Sequence, residues 1–338
     1  MEWVDLRSDT VTRPTPAMRA AMVAAEVGDD VYGEDPTVNA LQRRLADDLG
    51  FEAGLFVSSG TQSNLLALMS HCERGDEYLV GADAHTYKFE GGGAAVLGSI
   101  QPQSIPHDVD GTLPLERVAA AIKPVDPHFA HTKLLALEDT WHGRVLPRDY
   151  LRTAHDFARE RGLALHLDGA RLFNAAVADG LPAREIAQLF DSVSVCLSKG
   201  LGAPVGSVLV GSAALIDKAR RWRKVTGGGW RQAGMLAAAG LHALDHHVER
   251  LAEDHARAAR LADGLRGMPG VDLLGHHTNM VFVDVPAGRL GELDVHLRAA
   301  KIRISIGYLP TLRLVTHLDI DDDGVQRTLE AFARFFGR

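Results

Sequence analysis

The sequence predicts an α/β protein with a mainly parallel sheet covered by helices on both faces, followed by a smaller C-terminal α+β unit. Three observations carry this reading. Short apolar strands alternate with helical stretches over most of the chain, as crossover connections require. Several of those strands run straight into loops rich in Gly, Ser and Thr. Beyond a long helical stretch from about Gln232 to Leu265, the remaining strands and helices are few enough for a separate small unit. The expected division is a large domain over 1–245, including an N-terminal arm, and a small domain over 246–338. The boundary lies near Leu241 to Arg250.

Element by element, Asp5 to Pro14 is polar and β-branched and reads as an extended arm. Thr15 followed by Pro16 looks like an N-cap with proline at the first helical position. Val38, Leu41, Leu45 and Leu49 recur at helical spacing and predict a helix over Pro36 to Leu49. Gly54 to Val57 is a strand that turns into a helix from Gln62 to Met69, and Leu79-Val80 is a further short strand. Lys133 to Leu137 is a strand, Tyr150 to Arg161 a helix, and Leu163 to Asp168 and Val193 to Leu197 two more strands. Ser207 to Val210 follows closely enough to pair antiparallel with the strand before it. Met280 to Val285, a helix near Leu290 to Ala300, Leu312 to Val315 and a helix from Gly324 to Phe336 complete the small unit.

Composition narrows the function. With 46% hydrophobic and 24% charged residues the chain is globular rather than disordered. A net charge of −8 offers no electrostatic footprint for nucleic acid. No window approaches the roughly 20 apolar residues of a membrane helix. The start, Met1 to Asp5, is acidic and lacks a signal-peptide layout, and two cysteines are too few for a disulfide framework, so a cytoplasmic setting is expected. Seven lysines stand against 29 arginines. Each lysine therefore deserves a question, because its amine can become a nucleophile.

Ligands in open α/β sheets bind beyond the carboxyl ends of the strands, and four loops qualify. Ser58-Ser59-Gly60-Thr61-Gln62-Ser63-Asn64 lies between a strand and a helix and could bind a phosphate; it also reads as an ordinary helix cap. Asp168-Gly169-Ala170-Arg171 ends an apolar strand. Its carboxylate could hold a protonated ring nitrogen, or serve as a helix cap with a paired arginine. Lys199 follows an apolar strand and precedes three glycines. It could be a desolvated imine-forming amine, or a solvated turn lysine. His85 could stack on an aromatic ring or move protons, or be structural. Together, a phosphate loop, a His, a strand-end Asp and a Lys 31 positions after it are the groups that hold pyridoxal phosphate.

At this point the residues resemble the low-specificity L-threonine aldolases. The matching segments are Asp5 to Thr12, Gly28 to Gly33, Asp35 to Asn39, His166 to Arg171, Leu197 to Gly202, Arg223 to Gly229 and Arg313 to His317. The resemblance implies an aspartate-aminotransferase-like fold (fold type I) with a mainly parallel seven-stranded sheet. It also implies pyridoxal 5'-phosphate, a homotetramer built as a dimer of dimers with active sites shared across a dimer interface, an amino-acid substrate, and no metal. Carried over by motif, Lys199 is the Schiff-base lysine and Asp168 the partner of the ring nitrogen. His85 stacks on the ring, and Ser59, Gly60 and Thr61 bind the phosphate. Ser8, Arg171 and Arg313 hold the substrate carboxylate, with Arg171 also beside the cofactor. His128 stands near the substrate hydroxyl, and Lys224 and Arg231 reach a neighbouring subunit's cofactor site.

One segment departs from the pattern. The family often shows Glu-Asn-Thr-His-Asn-Gly where this chain has Glu138-Asp139-Thr140-Trp141-His142-Gly143. The segment ends a strand and is expected to affect side-chain and stereochemical preference. The reaction implied is retro-aldol cleavage of threonine and allo-threonine to glycine and acetaldehyde, with His85, His128 or water as base. Cleavage of phenylserine, a serine hydroxymethyltransferase-like activity, and a non-catalytic cofactor-binding protein are the alternatives.

Overall fold

The computed structural model describes residues 2–307 and 311–337. Its strands are β1 (Val4–Asp5), β2 (Ala53–Val57), β3 (Asp76–Gly81), β4 (Gln101–Ile105), β5 (His131–Glu138), β6 (Ala164–Gly169), β7 (Ser192–Cys196), β8 (Ser207–Gly211), β9 (Asp272–His277), β10 (Met280–Asp284), β11 (Ile302–Arg303) and β12 (Leu312–Val315). Seven of them form one sheet in the order β2-β8-β7-β6-β5-β3-β4. Only β8 runs against its neighbours, β2 and β7; the other pairings are parallel. Because β8 reverses twice, β2 and β7 point the same way. The carboxyl ends of β2, β3, β5, β6 and β7 therefore share one edge, and that edge carries the site.

Local chemistry sets the element ends. Thr15 and Asp35 accept from the backbone N–H of Met18 and Val38, and Pro16 and Pro36 stand at the first helical positions. The helical stretch after Gln232 divides into Gly234–His246 and Leu251–Leu265. At the break, His247 Nδ1 bonds the carbonyl of Leu201 at 2.7 Å, which ties the break to the loop holding Lys199.

Four apolar clusters result among the described residues, and the two largest lie one on each of the two larger sheets. The first includes Leu41, Phe56, Leu135, Leu167 and Val195, on the large sheet. The second includes Val4, Leu6, Leu261, Val281, Leu314 and Phe332, around the antiparallel sheet β12-β10-β9. Val4 and Leu6 belong to the second core because β1 pairs in parallel with β11. The arm is thus stitched to the C-terminal unit, and the residues after it, Ser8 and Asp9, are carried to the edge of the large sheet.

Besides the two-residue β1 and β11, two strands were not expected from the sequence. β4 reads Gln-Pro-Gln-Ser-Ile and is the sheet's edge, so proline and polar residues are tolerated there. β9 is also an edge strand, alternately exposed and half-buried, with a glycine and two histidines in its six residues. Neither shows the apolar run of a central strand.

Candidate active site

The loop from β7 to β8 presents Lys199. It is closed by bonds from Leu197 N–H to Gly206 O (3.0 Å), Gly202 N–H to Lys199 O (2.8 Å) and Ala203 N–H to Leu197 O (3.0 Å). Gly206 has φ +105°, and a Cβ there would overlap the Phe56 ring. Only glycine fits that turn. Lys199 lines a cavity of about 420 Å³ together with Ser8, His85, Glu138, His142, Arg171 and Arg313. Among the described residues, its amine has no hydrogen-bond partner.

Asp168, at the end of β6, is buried at 3% exposure. Asn64 Nδ2 donates to its Oδ2 at 2.8 Å, and the Ala170 N–H donates to its Oδ1 at 3.1 Å. No lysine or arginine of the described residues pairs with it. Asn64 Nδ2 also donates to Glu90 Oε1 at 2.9 Å, and its Oδ1 lies 3.2 Å from His166 Nε2. Burial pushes His166 down to about 3, so the ring is neutral. With Asn64 Oδ1 as acceptor, Nε2 carries the proton, and Nδ1 accepts from the Ser192 hydroxyl at 2.8 Å. This chain of bonds fixes the Asn64 amide and, through it, the Asp168 carboxylate.

His85 opens a short helix after β3. Its backbone N–H donates to Glu138 Oε2 at 2.8 Å, and its Nδ1 lies 2.8 Å from Glu90 Oε1. The Glu90 hydrogen bond raises the imidazole above its ordinary pKa against the opposing effect of burial. Burial in turn raises Glu90. Burial and the nearby Asp168 carboxylate push Glu138 up to about 7. Donor atoms of His85, Glu90 and Asp168 lie within 4.8 Å of one another, and each residue is already hydrogen-bonded within the chain.

At the far side, Arg171 Nε and one terminal nitrogen grip Asp9 at 2.7 Å each. Asn279 Nδ2 adds a bond to Asp9 at 3.3 Å. The guanidinium, largest among the effects opposing burial, holds Asp9 well below the usual carboxylate range. Two of the five N–H donors of Arg171 are engaged this way and three are left. Arg313, on β12, is half-buried and lines the same cavity.

The helix Gly60–His71 starts beyond β2. Ser59 Oγ caps it by accepting from Gln62 N–H at 3.1 Å. The N–H groups of Gly60 and Thr61 belong to the first turn and have no acceptor within the helix. The buried Ser207 hydroxyl, which faces Gly60, has no hydrogen-bond partner among the described residues.

The structure therefore gathers most of the expected residues. Lys199, His85, Ser8, Arg171 and Arg313 line one cavity, and Asp168 joins it through the Asn64–Glu90–His85 network. His128 stands apart from them. It lies in the loop before β5, at the opposite end of that strand from the site. Its side chain is 83% exposed and bonded to Asp126 at 2.6 Å, so it does not reach the substrate hydroxyl of its own protomer. Lys224 and Arg231 are exposed and absent from this cavity; Arg231 lies 3.3 Å from Asp29.

Sequence reading assigned no role to Asn64, Glu90 or Asp9. Asn64 had a signal, since it follows Gly60 by about one turn and so faces the same strand ends. Glu90 and Asp9 had none beyond proximity to His85 and Ser8, because their partners are set by tertiary packing.

A family model described as beta-eliminating lyase matches residues 5–287. The low specificity L-threonine aldolase of Escherichia coli K12 is 57% identical over 335 residues, spanning 99% of this chain and 100% of that protein. The probable low-specificity L-threonine aldolase 2 of Arabidopsis thaliana is 44% identical, spanning 98% of this chain and 97% of that one. Among solved structures, the threonine aldolase of Leishmania major superposes with a TM-score of 0.85 over 98% of this chain and 99% of that one. At 23% identity, that likeness carries the fold alone.

Proposed function

Because the chain belongs to the low-specificity L-threonine aldolase family, we propose that it cleaves L-threonine and L-allo-threonine to glycine and acetaldehyde with pyridoxal 5'-phosphate as cofactor. The observation that carries the reading is one cavity bearing a lysine amine, unpartnered among the described residues, and the guanidinium groups of Arg7, Arg171 and Arg313.

The residues present fit the cofactor. Asp168 is a buried carboxylate with no cationic partner among the described residues, which suits a protonated ring nitrogen. The free N–H groups of Gly60 and Thr61, with Ser59 and the unpaired Ser207 hydroxyl nearby, suit a phosphate at a helix N-terminus. Lys199 would hold the aldehyde carbon covalently, and His85 would lie against the ring face. When bound, the cofactor supplies a conjugated, protonated ring that takes up the electron pair left as the Cα–Cβ bond breaks.

The chain's own residues do the rest. Asp168, fixed by Asn64, keeps the ring nitrogen protonated. Arg313 and the free donors of Arg171, with the Ser8 hydroxyl, hold the substrate carboxylate and so orient the Cα–Cβ bond. Asp9 keeps the Arg171 guanidinium in place. Lys224 and Arg231, unused in their own cavity, would complete a neighbouring subunit's site in a dimer that pairs into a tetramer. A reducing compartment, the cytoplasm, suits Cys72 and Cys196, both free and buried. Among the described residues no helix is long and apolar enough to cross a membrane.

The test is product analysis. Purified protein loaded with the cofactor should release acetaldehyde and glycine in equal amounts from threonine. No aldehyde from either L-diastereomer would overturn the reading.

A further inference from the structure

Beyond β5, Trp141 and Arg144 exchange two backbone hydrogen bonds of 2.9 Å and close a tight turn. His142 and Gly143 occupy its tip with φ of +48° and +79°. Positive φ at both central residues makes this a turn of the type that joins hairpin strands. The turn is anchored to the C-terminal unit, because Thr278 Oγ1 donates to the Gly143 carbonyl at 2.9 Å. It is held from the sheet side as well. Trp141 stacks on His107 at 4.8 Å and 28°. That stack needs two glycines: a Cβ at Gly81 would collide with the His107 ring, and one at Gly111 would press on Trp141. The His142 ring stands edge-on to Trp141 at 4.8 Å and 72°.

The imidazole so held lines the same cavity as Lys199, Arg171 and Arg313. Neither of its ring nitrogens has a hydrogen-bond partner among the described residues. Burial, then the Arg313 guanidinium, lowers it to about 4; Asp83 opposes this, while His107 and Arg171 add to it. At neutral pH the ring is an uncharged donor and acceptor. The guanidinium groups of Arg171 and Arg313 are suited to a carboxylate, Arg7 is paired with Asp5, and Lys199 and Asp168 are suited to the cofactor. The polar group of a β-hydroxy amino acid left without a partner is its hydroxyl.

We propose that His142 receives the substrate β-hydroxyl by hydrogen bonding, with the Trp141–His107 stack and the Trp141–Arg144 turn holding its ring in place. The proposal rests on the aldolase reading, and its position in the chain is one where the family often has asparagine. It assigns to the departing segment a direct substrate contact.

The experiment compares holoenzyme of the parent, His142→Phe and His142→Asn. Two quantities are measured: kcat/KM for both L-threonine diastereomers, and the dissociation constant of glycine from the visible spectrum. Glycine has the carboxylate and amine but no hydroxyl. His142→Phe should lower kcat/KM about 10- to 100-fold while glycine binding stays within about two-fold. His142→Asn should recover part of the loss, since its amide can also bond a hydroxyl and asparagine tolerates positive φ. Two results would overturn the proposal: kcat/KM unchanged in His142→Phe, or glycine affinity falling in step with kcat/KM, which would make His142 a carboxylate ligand or a prop. If the parent binds glycine but releases no aldehyde from any β-hydroxy amino acid, the aldolase reading itself fails and this proposal goes with it.

Discussion

Replacing Asp139 by Asn should change how stability depends on pH. Asp139 is fully buried at the end of β5. Its Oδ1 accepts the Leu146 N–H at 3.1 Å, and among the described residues its Oδ2 has no hydrogen-bond partner. Burial pushes the carboxyl from an ordinary 3.8 up to about 7, with the Leu146 bond and the Arg148 charge opposing only in part. A carboxyl whose folded value lies above its unfolded value keeps its proton longer in the folded state. Its contribution to stability is therefore full below the unfolded value and is lost as pH rises through the window between the two. With these values, linkage gives a loss of about 2–3 kcal/mol between pH 5 and pH 8, under a ceiling of about 4 kcal/mol. The asparagine has no proton to lose. Urea denaturation of parent and Asp139→Asn at pH 5 and pH 8, at one protein concentration, should show the variant gaining about 2–3 kcal/mol relative to the parent on going to pH 8. An equal pH dependence in both proteins would refute the idea of an uncompensated buried carboxyl.

Other outcomes follow from the same structure. Asp9→Ala strands the Arg171 guanidinium inside the protein; it should cost about 3–5 kcal/mol in chemical denaturation and raise KM for threonine, because the carboxylate ligand loses its anchor. Glu90→Gln removes the largest effect raising His85. The His85 titration followed by NMR should move to lower pH, and the stability that a raised histidine contributes below its folded value should shrink on the acid side. Gly206→Ala places a Cβ into Phe56 at positive φ; a loss on the order of 1–3 kcal/mol should appear as a lower melting temperature, together with weaker cofactor retention as the Lys199 loop shifts.

Much of this was legible in the sequence because it is local. The helix Pro36–Leu49 announces itself by Val38, Leu41, Leu45 and Leu49 at helical spacing, and the structure has those bounds. The antiparallel return of β8 follows from the short connection after β7, and Lys199 is marked by the glycines that its loop requires. The edge strands β4 and β9 lack such marks, since half-exposed positions accept polar residues and proline. The site divides along the same line. Side chains placed directly by strand ends, Asp168 and Lys199, could be read from position. Those placed by long-range pairing, such as Asp9 on Arg171 or Glu90 on His85, could not, because nothing in their own neighbourhood names the partner. His128 shows a different limit: its motif position does not say that its loop lies at the far end of β5 from its own protomer's cavity. The Trp141-His142 pair was visible as an irregularity, and its tie to His107, Gly81 and Thr278 needed the fold.

The most direct measurement of the central claim is borohydride reduction of the cofactor-loaded protein followed by peptide mass spectrometry. The chain has seven lysines, so the site of attachment discriminates sharply. A pyridoxyl adduct on Lys199 alone, with loss of acetaldehyde release from threonine, is the predicted result. An adduct on another lysine, or none while threonine cleavage persists, would contradict it.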